Sequence, residues 1–447
     1  MRNLISLLVL LFVFNSSFSQ FIEGKVIDAQ TEEPINGVHV YIKGVGNGTQ
    51  TNSLGKFRLN TSFEEKGISV SFSHISYFDK IVLVEESNFI NVSLNKKTEL
   101  LNEVKITHTK YLNKSIAYKK LSQMKNGLHS FGATYFEGKI YVVGGNASYH
   151  IDDMKKTLEN YPDLYDFEQY LNKAKNSYWK KLFNGDYRVY NILKDEWNYQ
   201  KDKFEDRAHH KINIWNNQLY VIGGLRLTRT NKREYLQDNI EILNFENDST
   251  IIDYTNPHQA VDFSMNRYKD NLILMGGSVK LKRNGFKEYS NKVHLYNLSS
   301  GLWYEIGAMP VAKECNSVLV NDKIFVIGGF NKKPHSSIES FNITSQKWKK
   351  EGELFSTINK PALTSKNEMI YIFDNGKLST LNTLTNELHE YFIDLYLINS
   401  EMLLIDNKLY IIGGLRANSF SATPSSGIYS IDINEFEKTL VHKSKFI

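Results

Sequence analysis

Apolar and polar positions alternate in short runs along most of this chain, each run broken by Gly, Asn or Asp, which is the two-residue period of half-buried strands. Over residues 20–107 the runs are GKVIDA, VHVYIKG, GKFRLN, ISVSFSHISY, KIVLVE and FINVSLN, the spacing of a small antiparallel sandwich. From residue 128 to 447 a stronger regularity takes over. An apolar strand ending in paired glycine recurs as IYVVGG (Gly144, Gly145), LYVIGG (Gly223, Gly224), LILMGG (Gly276, Gly277), IFVIGG (Gly328, Gly329) and LYIIGG (Gly413, Gly414). A sixth copy, IYIFDN, carries Asp374 and Asn375 in the glycine slots. Each copy follows an earlier strand and a polar turn, as in SVLVNDKIFVIGG. Residues 108–127 are polar, basic and weakly patterned, and read as a linker that ends in a short strand.

The glycine slots lie 79, 53, 52, 46 and 39 residues apart, the period of a repeat architecture. After the glycines an aromatic residue precedes a Trp by seven positions, as in Tyr190 and Trp197, Tyr296 and Trp303, Phe341 and Trp348; Leu381 and Leu388 keep the spacing in the fifth unit. Six units of four strands predict an all-β, six-bladed propeller in which each blade buries its faces against its neighbours. Glycine in the slot permits a backbone conformation and a close blade contact that a Cβ would block, and Asp or Asn tolerates that conformation best among other residues. Reading the glycines as a phosphate cradle fails, because no G-x-G-x-x-G and no following Lys-Ser/Thr is present and strands flank both sides. Two segments compete to close the ring. AYKKLSQM, with Tyr118 in the Trp position, does so from the N-terminal side, and EKTLVHKS from the C-terminus.

These units resemble the kelch repeat, whose motif is the double glycine followed by the spaced Tyr and Trp. The first block resembles the carboxypeptidase regulatory-like domain, an Ig-like or prealbumin-like sandwich. The matching pattern is Gly24-x-Val26-x-Asp28, Pro34-Ile35-x-Gly37-Val38-x-Val40, Gly48-Thr49-x-Thr51-Asn52-x-x-Gly55-x-Phe57-x-Leu59 and Leu101-x-Glu103-Val104. Asn52 stands where that family usually has Asp, and Ile75-Ser76-Tyr77 where Gly-Tyr is usual. The resemblance implies that this domain carries no chemistry.

Composition adds export to the picture. Residues 1–19 join Arg2, an apolar run from Leu4 to Phe14 and the small residues Ser17 and Ser19, the layout of a cleavable signal peptide. The apolar run is about half the ~20 residues needed to span a bilayer, so no transmembrane segment is expected. The chain is therefore expected in the periplasm, at the cell surface or secreted. Cys315 is its only cysteine, which rules out an internal disulfide, and its apolar strand pattern marks it as buried. A net charge of +5 from 54 basic and 49 acidic residues is too mild for nucleic-acid binding.

No chemistry is announced by motif. The 12 histidines are scattered, with only His209 and His210 adjacent, and H-x-x-x-H, H-E-x-x-H, C-x-x-C and G-x-S-x-G are absent. Galactose oxidase is a kelch-type enzyme, but its copper chemistry needs a Tyr crosslinked to Cys, which Cys315 is not placed to supply. No catalytic residue, metal or cofactor is expected.

What remains is charge on one rim. In an up-and-down blade the turn after strand 2 and the connection to the next blade share one end of the propeller, so all six post-glycine loops share a face. These loops carry Arg226, Arg229, Arg233, Lys280, Lys282, Arg283, Lys332, Lys333, Lys377 and Arg416 as candidate ligand-binding residues. Repetition at equivalent loops sums their fields around one channel mouth. The first repeat adds an insertion at about 149–185, with Leu158, Tyr161, Leu164, Phe167, Leu171 and Trp179 near helical spacing, which predicts a short helical pair. Three functions compete. The first is a non-catalytic module that binds an anionic glycan or an acidic protein partner; the second is a sugar-processing enzyme, since repeat type, blade number and export resemble the periplasmic sialic-acid mutarotases; the third is a structural component of a cell-surface complex.

Overall fold

The structure is a computed structural model that describes residues 20–42, 48–61, 67–85, 89–97, 112–160, 178–180, 182–228, 230, 233–281 and 287–447. It divides into two compact units, Met1–Thr109 and Lys110–Ile447.

The first unit is a sandwich of two sheets. One runs Lys56–Thr61, Gln20–Asp28, Phe89–Leu94, and the other Gly48–Gln50, His39–Ile42, Ile68–His74, Tyr77–Val84. Alternation sends Val26, Val40, Phe57, Leu59, Val70, Phe72 and Val92 into one dry core. The motif positions do local work. Asp28 accepts from the amides of Gln30 and Thr31 at 2.8 and 3.1 Å and from the Tyr77 hydroxyl at 2.9 Å, and the two amides lead in holding its carboxyl below the usual range. Asn52 Oδ1 accepts from the amides of Leu54 and Lys56, both at 3.0 Å, so an amide side chain closes this turn.

The second unit is a six-bladed propeller. Blades 1 to 6 begin with the strands Gly132–Phe136, Lys211–Trp215, Ser264–Tyr268, Glu314–Val320, Ala362–Lys366 and Glu401–Ile405, and these first strands contact one another all the way round. Each is followed by antiparallel partners toward the periphery. Six apolar clusters fill the six seams between blades. In the seam between blades 3 and 4, for example, Ile273, Met275 and Val293 meet Ile324, Val326 and Phe341. Cys315 lies in that same seam, fully buried, and burial pushes its thiol up to about 12, so it behaves as a small apolar residue. The Trp residues pack on their aromatic partners, with ring centroids 5.0 Å apart for Tyr190 and Trp197, 4.6 Å for Tyr296 and Trp303, and 5.1 Å for Phe341 and Trp348.

The glycine pairs explain how blades approach so closely. The first glycine of each pair has φ between 57° and 72°, the second between 87° and 113°. A Cβ on the first would come within 2.6–3.0 Å of a carbonyl oxygen of the segment leading into the next blade, that of Arg207, Ala260, Lys313 and, across the closure, Leu128; in blade 4 the oxygen is that of Ile358, at the end of the blade's own outer strand. In blade 5 Asn375 takes the second slot with φ 37°, and its amide donates to Leu397 O at 3.0 Å, as Gly224 donates to Ala260 O at 2.9 Å.

The N-terminal side closes the ring. Lys119–Lys120 pairs antiparallel with Ile428–Asp432 as the outer strand of blade 6, and Tyr118 packs edge-on against Tyr429 at 5.4 Å. The C-terminal alternative instead adds a fifth strand, Lys443–Phe446, to blade 5.

Candidate functional site at the channel mouth

In every blade the start of strand 1 pairs with the end of strand 2, as Gly132 with Val143 and Lys211 with Ile222. The loop leading into strand 1 and the turn after the glycines therefore meet at one end. Bridges tie them directly, among them Ala208 to Leu225, Val261 to Ser278 and Ile398 to Leu415. On this end the post-glycine turns of blades 2, 3 and 6 rise as small hairpins, Leu225–Leu227 with Glu234–Leu236, Ser278–Leu281 with Lys287–Tyr289, and Leu415–Ala417 with Ser421–Pro424.

Around the channel the lead-in loops form a ring. Ser130, His209, Asp262 and Asn399 occupy one structural position, each with a left-handed φ of 51° to 62°. Backbone hydrogen bonds pass from blade to blade between them: Ser130 N to Asn399 O at 3.3 Å, His209 N to Ser130 O at 2.7 Å, Asp262 N to His209 O at 3.3 Å and Cys315 N to Asp262 O at 3.0 Å. The left-handed turn is what aims both the amide and the carbonyl along the ring.

The side chains of this ring make a charged cluster. Asp262 Oδ1 lies 2.8 Å from His209 Nδ1 and 2.8 Å from Lys360 Nζ. Burial alone would raise the Asp262 carboxyl, but His209 and Lys360 overcome it and hold the group ionised, well below the usual carboxylate range. With Asp262 an ionised acceptor, the facing Nδ1 of His209 is the donor of their hydrogen bond. His129, edge-on to His209 at 6.5 Å, is driven down to about 3 by burial first and then by the neighbouring His209 and Lys360, so it stays neutral. One layer deeper Lys211 pairs with Glu401 at 3.0 Å. Ser130, His209, Asp262, Asn316, Lys360 and Asn399 line a shallow hollow of about 30 Å³ that opens to solvent, well below the volume of an enclosed small-molecule site.

Of the ten cations singled out in the sequence, the six whose side chains are described, Arg226, Arg233, Lys332, Lys333, Lys377 and Arg416, do not line this hollow. Arg226 is exposed with its guanidinium 5.5 Å from the Tyr235 ring centroid, and Arg233 is exposed across the same hairpin. Lys332 and Lys333 are exposed at the tip of the blade 4 hairpin, where Lys332 N donates to the Tyr289 hydroxyl at 3.3 Å. Lys377 is half-buried and pairs with the buried Glu390 at 3.4 Å. Arg416 is exposed and donates from Nη2 to the Tyr429 hydroxyl at 3.1 Å. Lys280 lies on the strand Ser278–Leu281, and Arg229, Lys282 and Arg283 lie outside the described residues.

The first-blade insertion contains one described helix, Asp153–Asn160, between the strands Tyr149–Ile151 and Tyr178–Lys180; residues 161–177 of the segment predicted as a helical pair lie outside the described residues. Its two strands join the blade 6 hairpin in one four-stranded sheet, so blades 1 and 6 are linked on this face as well as at the closing strand. Beyond it Phe183 packs against His209 with ring centroids 6.4 Å apart.

His209, Asp262 and Lys360 went unrecognised because no motif joins them. A positional signal does exist: with Ser130 and Asn399 they each stand fourteen residues before the first glycine slot of their unit.

Comparison with known proteins agrees with this architecture. The profile described as the KLHDC2/KLHL20/DRC7 Kelch-repeats domain matches residues 172–376, and the CarboxypepD_reg-like domain matches residues 22–106. Kelch-like protein 15 of Homo sapiens is 24% identical over 181 residues, covering 36% of this chain and 29% of its own length. Alpha-scruin of Limulus polyphemus is 22% identical over 213 residues, covering 44% and 22%. The chain thus spans less than a third of the length of these curated relatives. A solved structure, "Structure of YjhT", covers 70% of this chain and 99% of that one, with a TM-score of 0.47 and 14% identity. Among the described residues no helix is long and apolar enough to cross a membrane.

Proposed function

We propose that this chain, a kelch-repeat β-propeller carried behind a carboxypeptidase regulatory-like domain, is an exported binding protein that holds an anionic glycan or an acidic protein segment on its hairpin-bearing face. One observation carries this reading. Arg226, Arg233, Lys332, Lys333 and Arg416 are exposed on post-glycine loops of blades 2, 4 and 6, and among the described residues none of them has a carboxylate within ion-pairing distance. Unneutralised cations repeated around one rigid face sum into a field that concentrates anions, and loops on rigid scaffolds carry binding out of proportion to their size. The layout of residues 1–19 supports export.

With heparin as the probe, the chain is expected to bind with an affinity that falls steeply as salt rises, because salt screens the attraction between solvent-exposed charges. Reversing Arg226, Lys333 and Arg416 to Glu together should weaken binding at least tenfold without altering the melting temperature by more than a few degrees. Surface plasmon resonance across a salt series reads both effects. Indifference to salt and to charge reversal would sink the electrostatic reading.

A second reading, sugar processing, is favoured by the His209, Asp262 and Lys360 cluster. Interconversion of sugar anomers needs a base that takes the proton of the anomeric hydroxyl and an acid that protonates the ring oxygen, so that the ring opens and recloses on its other side. His209, oriented by Asp262, and the Lys360 ammonium supply that pair of groups at one place. Exchange NMR on N-acetylneuraminic acid is expected to show faster anomer exchange with the protein present and none of the gain with His209→Ala. Exchange rates unchanged by the native protein remove this reading.

A further inference from the structure

A groove on the loop face, between blades 5 and 6 and away from the channel, is lined by Tyr118, Lys120, Asp394, Tyr396, Arg416 and Thr423 and has a volume of about 420 Å³. We infer that it is a subsite for one carboxylated sugar residue of the uronic-acid type. The inference rests on the reading that this face holds an anionic ligand, and it names the chemistry of that ligand.

Tyr396 supplies the platform. It is 63% exposed, yet its ring lies so close to the backbone of Gly376 that a Cβ there would come within 2.7 Å of Cε1. One side of the ring is thus fixed on the blade 5 turn while much of the ring stays open to solvent. Its orientation needs no ordering when a ligand arrives, and a pyranose can lay its C–H face on it. Arg416 supplies the anchor. Its Nη2 is spent on the Tyr429 hydroxyl, at 3.1 Å, which holds the guanidinium in place and leaves other N–H donors of the planar fork for a carboxylate. Tyr429 is itself buried in the seam between blades 5 and 6 and packed against Tyr118, whose hydroxyl donates to Asp394 O at 2.9 Å, so the anchor stands beside the strand by which the two chain ends of the propeller meet.

The mixture of groups selects a sugar over an acidic peptide. The groove offers two cations, Arg416 and Lys120, but also the Asp394 carboxylate. A run of acidic side chains would face that carboxylate at a cost, whereas a sugar has hydroxyls to donate to it. Asn418 and Thr423, also in the lining, add neutral hydrogen-bonding groups suited to hydroxyls.

Isothermal titration of the full chain tests this with tetragalacturonate, with maltotetraose as the neutral probe and tetraglutamate as the acidic peptide. Tetragalacturonate is expected to bind saturably and the other two at least tenfold more weakly. Tyr396→Ala and Arg416→Gln should each lower its affinity at least tenfold, Tyr396→Phe should retain it, and Arg226→Glu with Lys333→Glu, on blades 2 and 4, should leave it within twofold. Both groove residues are exposed, so the variants are expected to fold, which their melting curves check. Absence of saturable binding, survival of binding in both groove variants, or equal binding of tetraglutamate overturns the subsite. Loss of heparin binding in the blade 2 and 4 variant with tetragalacturonate unaffected supports both readings. Heparin that is salt-insensitive while tetragalacturonate still needs Tyr396 and Arg416 removes the wider electrostatic reading and leaves the groove standing.

Discussion

Replacing Gly413 by alanine is expected to destabilise the propeller by about 2–5 kcal/mol, from roughly 1–2 for a left-handed non-glycine backbone and about 1–3 for overpacking a closed seam. Gly413 has φ 57°, and its added Cβ would sit 2.6 Å from Leu128 O and 2.5 Å from Phe131 Cε1. The carbonyl belongs to backbone and cannot swing aside, so the seam between blades 6 and 1 must part. Gly138 provides the internal comparison. It has φ 75° but nothing within 4 Å of the added Cβ, so alanine there should cost only the backbone share, about 1–2 kcal/mol. Urea unfolding of the two variants separates strain from crowding. Equal losses would mean that the repeated glycines serve turn geometry alone and not the contact between blades.

Breaking the buried ion pair of blade 4 should be about as damaging, at about 3–5 kcal/mol for Glu339→Ala. Lys313 is fully buried, and its ammonium donates to Glu339 Oε2 at 2.6 Å, Gly328 O at 2.9 Å and Ser337 Oγ at 3.3 Å. Removing the carboxylate leaves a desolvated cation with neutral partners only. The double variant Lys313→Met with Glu339→Leu is expected to recover most of the loss, since an apolar pair of similar volume carries no desolvation penalty. A double-mutant cycle in urea reads the coupling. A single variant that loses less than ~1 kcal/mol, or a double as unstable as the single, would show that the pair is not isolated from water as its burial implies.

These two cases mark what was legible in the chain and what was not. The glycine slots and the Tyr and Trp positions were readable because one steric demand recurs in every blade and admits few residue types. The lead-in ring imposes a different demand, a left-handed turn with amide and carbonyl aimed at the neighbours, and Ser130, His209, Asp262 and Asn399 all meet it. Four unlike side chains at one position leave no pattern of types, so the charged cluster at the channel mouth surfaced only in three dimensions. The closing strand was named in the sequence only as one of two alternatives, because Lys119–Lys120 is too short to show alternation. The basic residues were visible as charge, but their surroundings were not. Lys377 faces Glu390, thirteen residues away along the chain, and is the one of the described candidates already neutralised by a carboxylate.

The closing strand also sets an order of events. Residues 119 and 120 are among the first of the propeller to be synthesised, and their partners, Tyr429 and Ser430, are among the last. Five blades can form from local hairpins while the sixth lacks its outer strand, so the nascent propeller remains an open arc with a bare edge at one end and an unpaired segment at the other. The final step joins segments some three hundred residues apart, yet entropy grows only as the logarithm of the loop and costs about 0.6 kcal/mol per doubling. What the late closure governs is time, because contacts this distant in sequence form slowly. Until it happens the arc exposes the strand edges that invite pairing between chains, and the ring becomes resistant to that fate all at once.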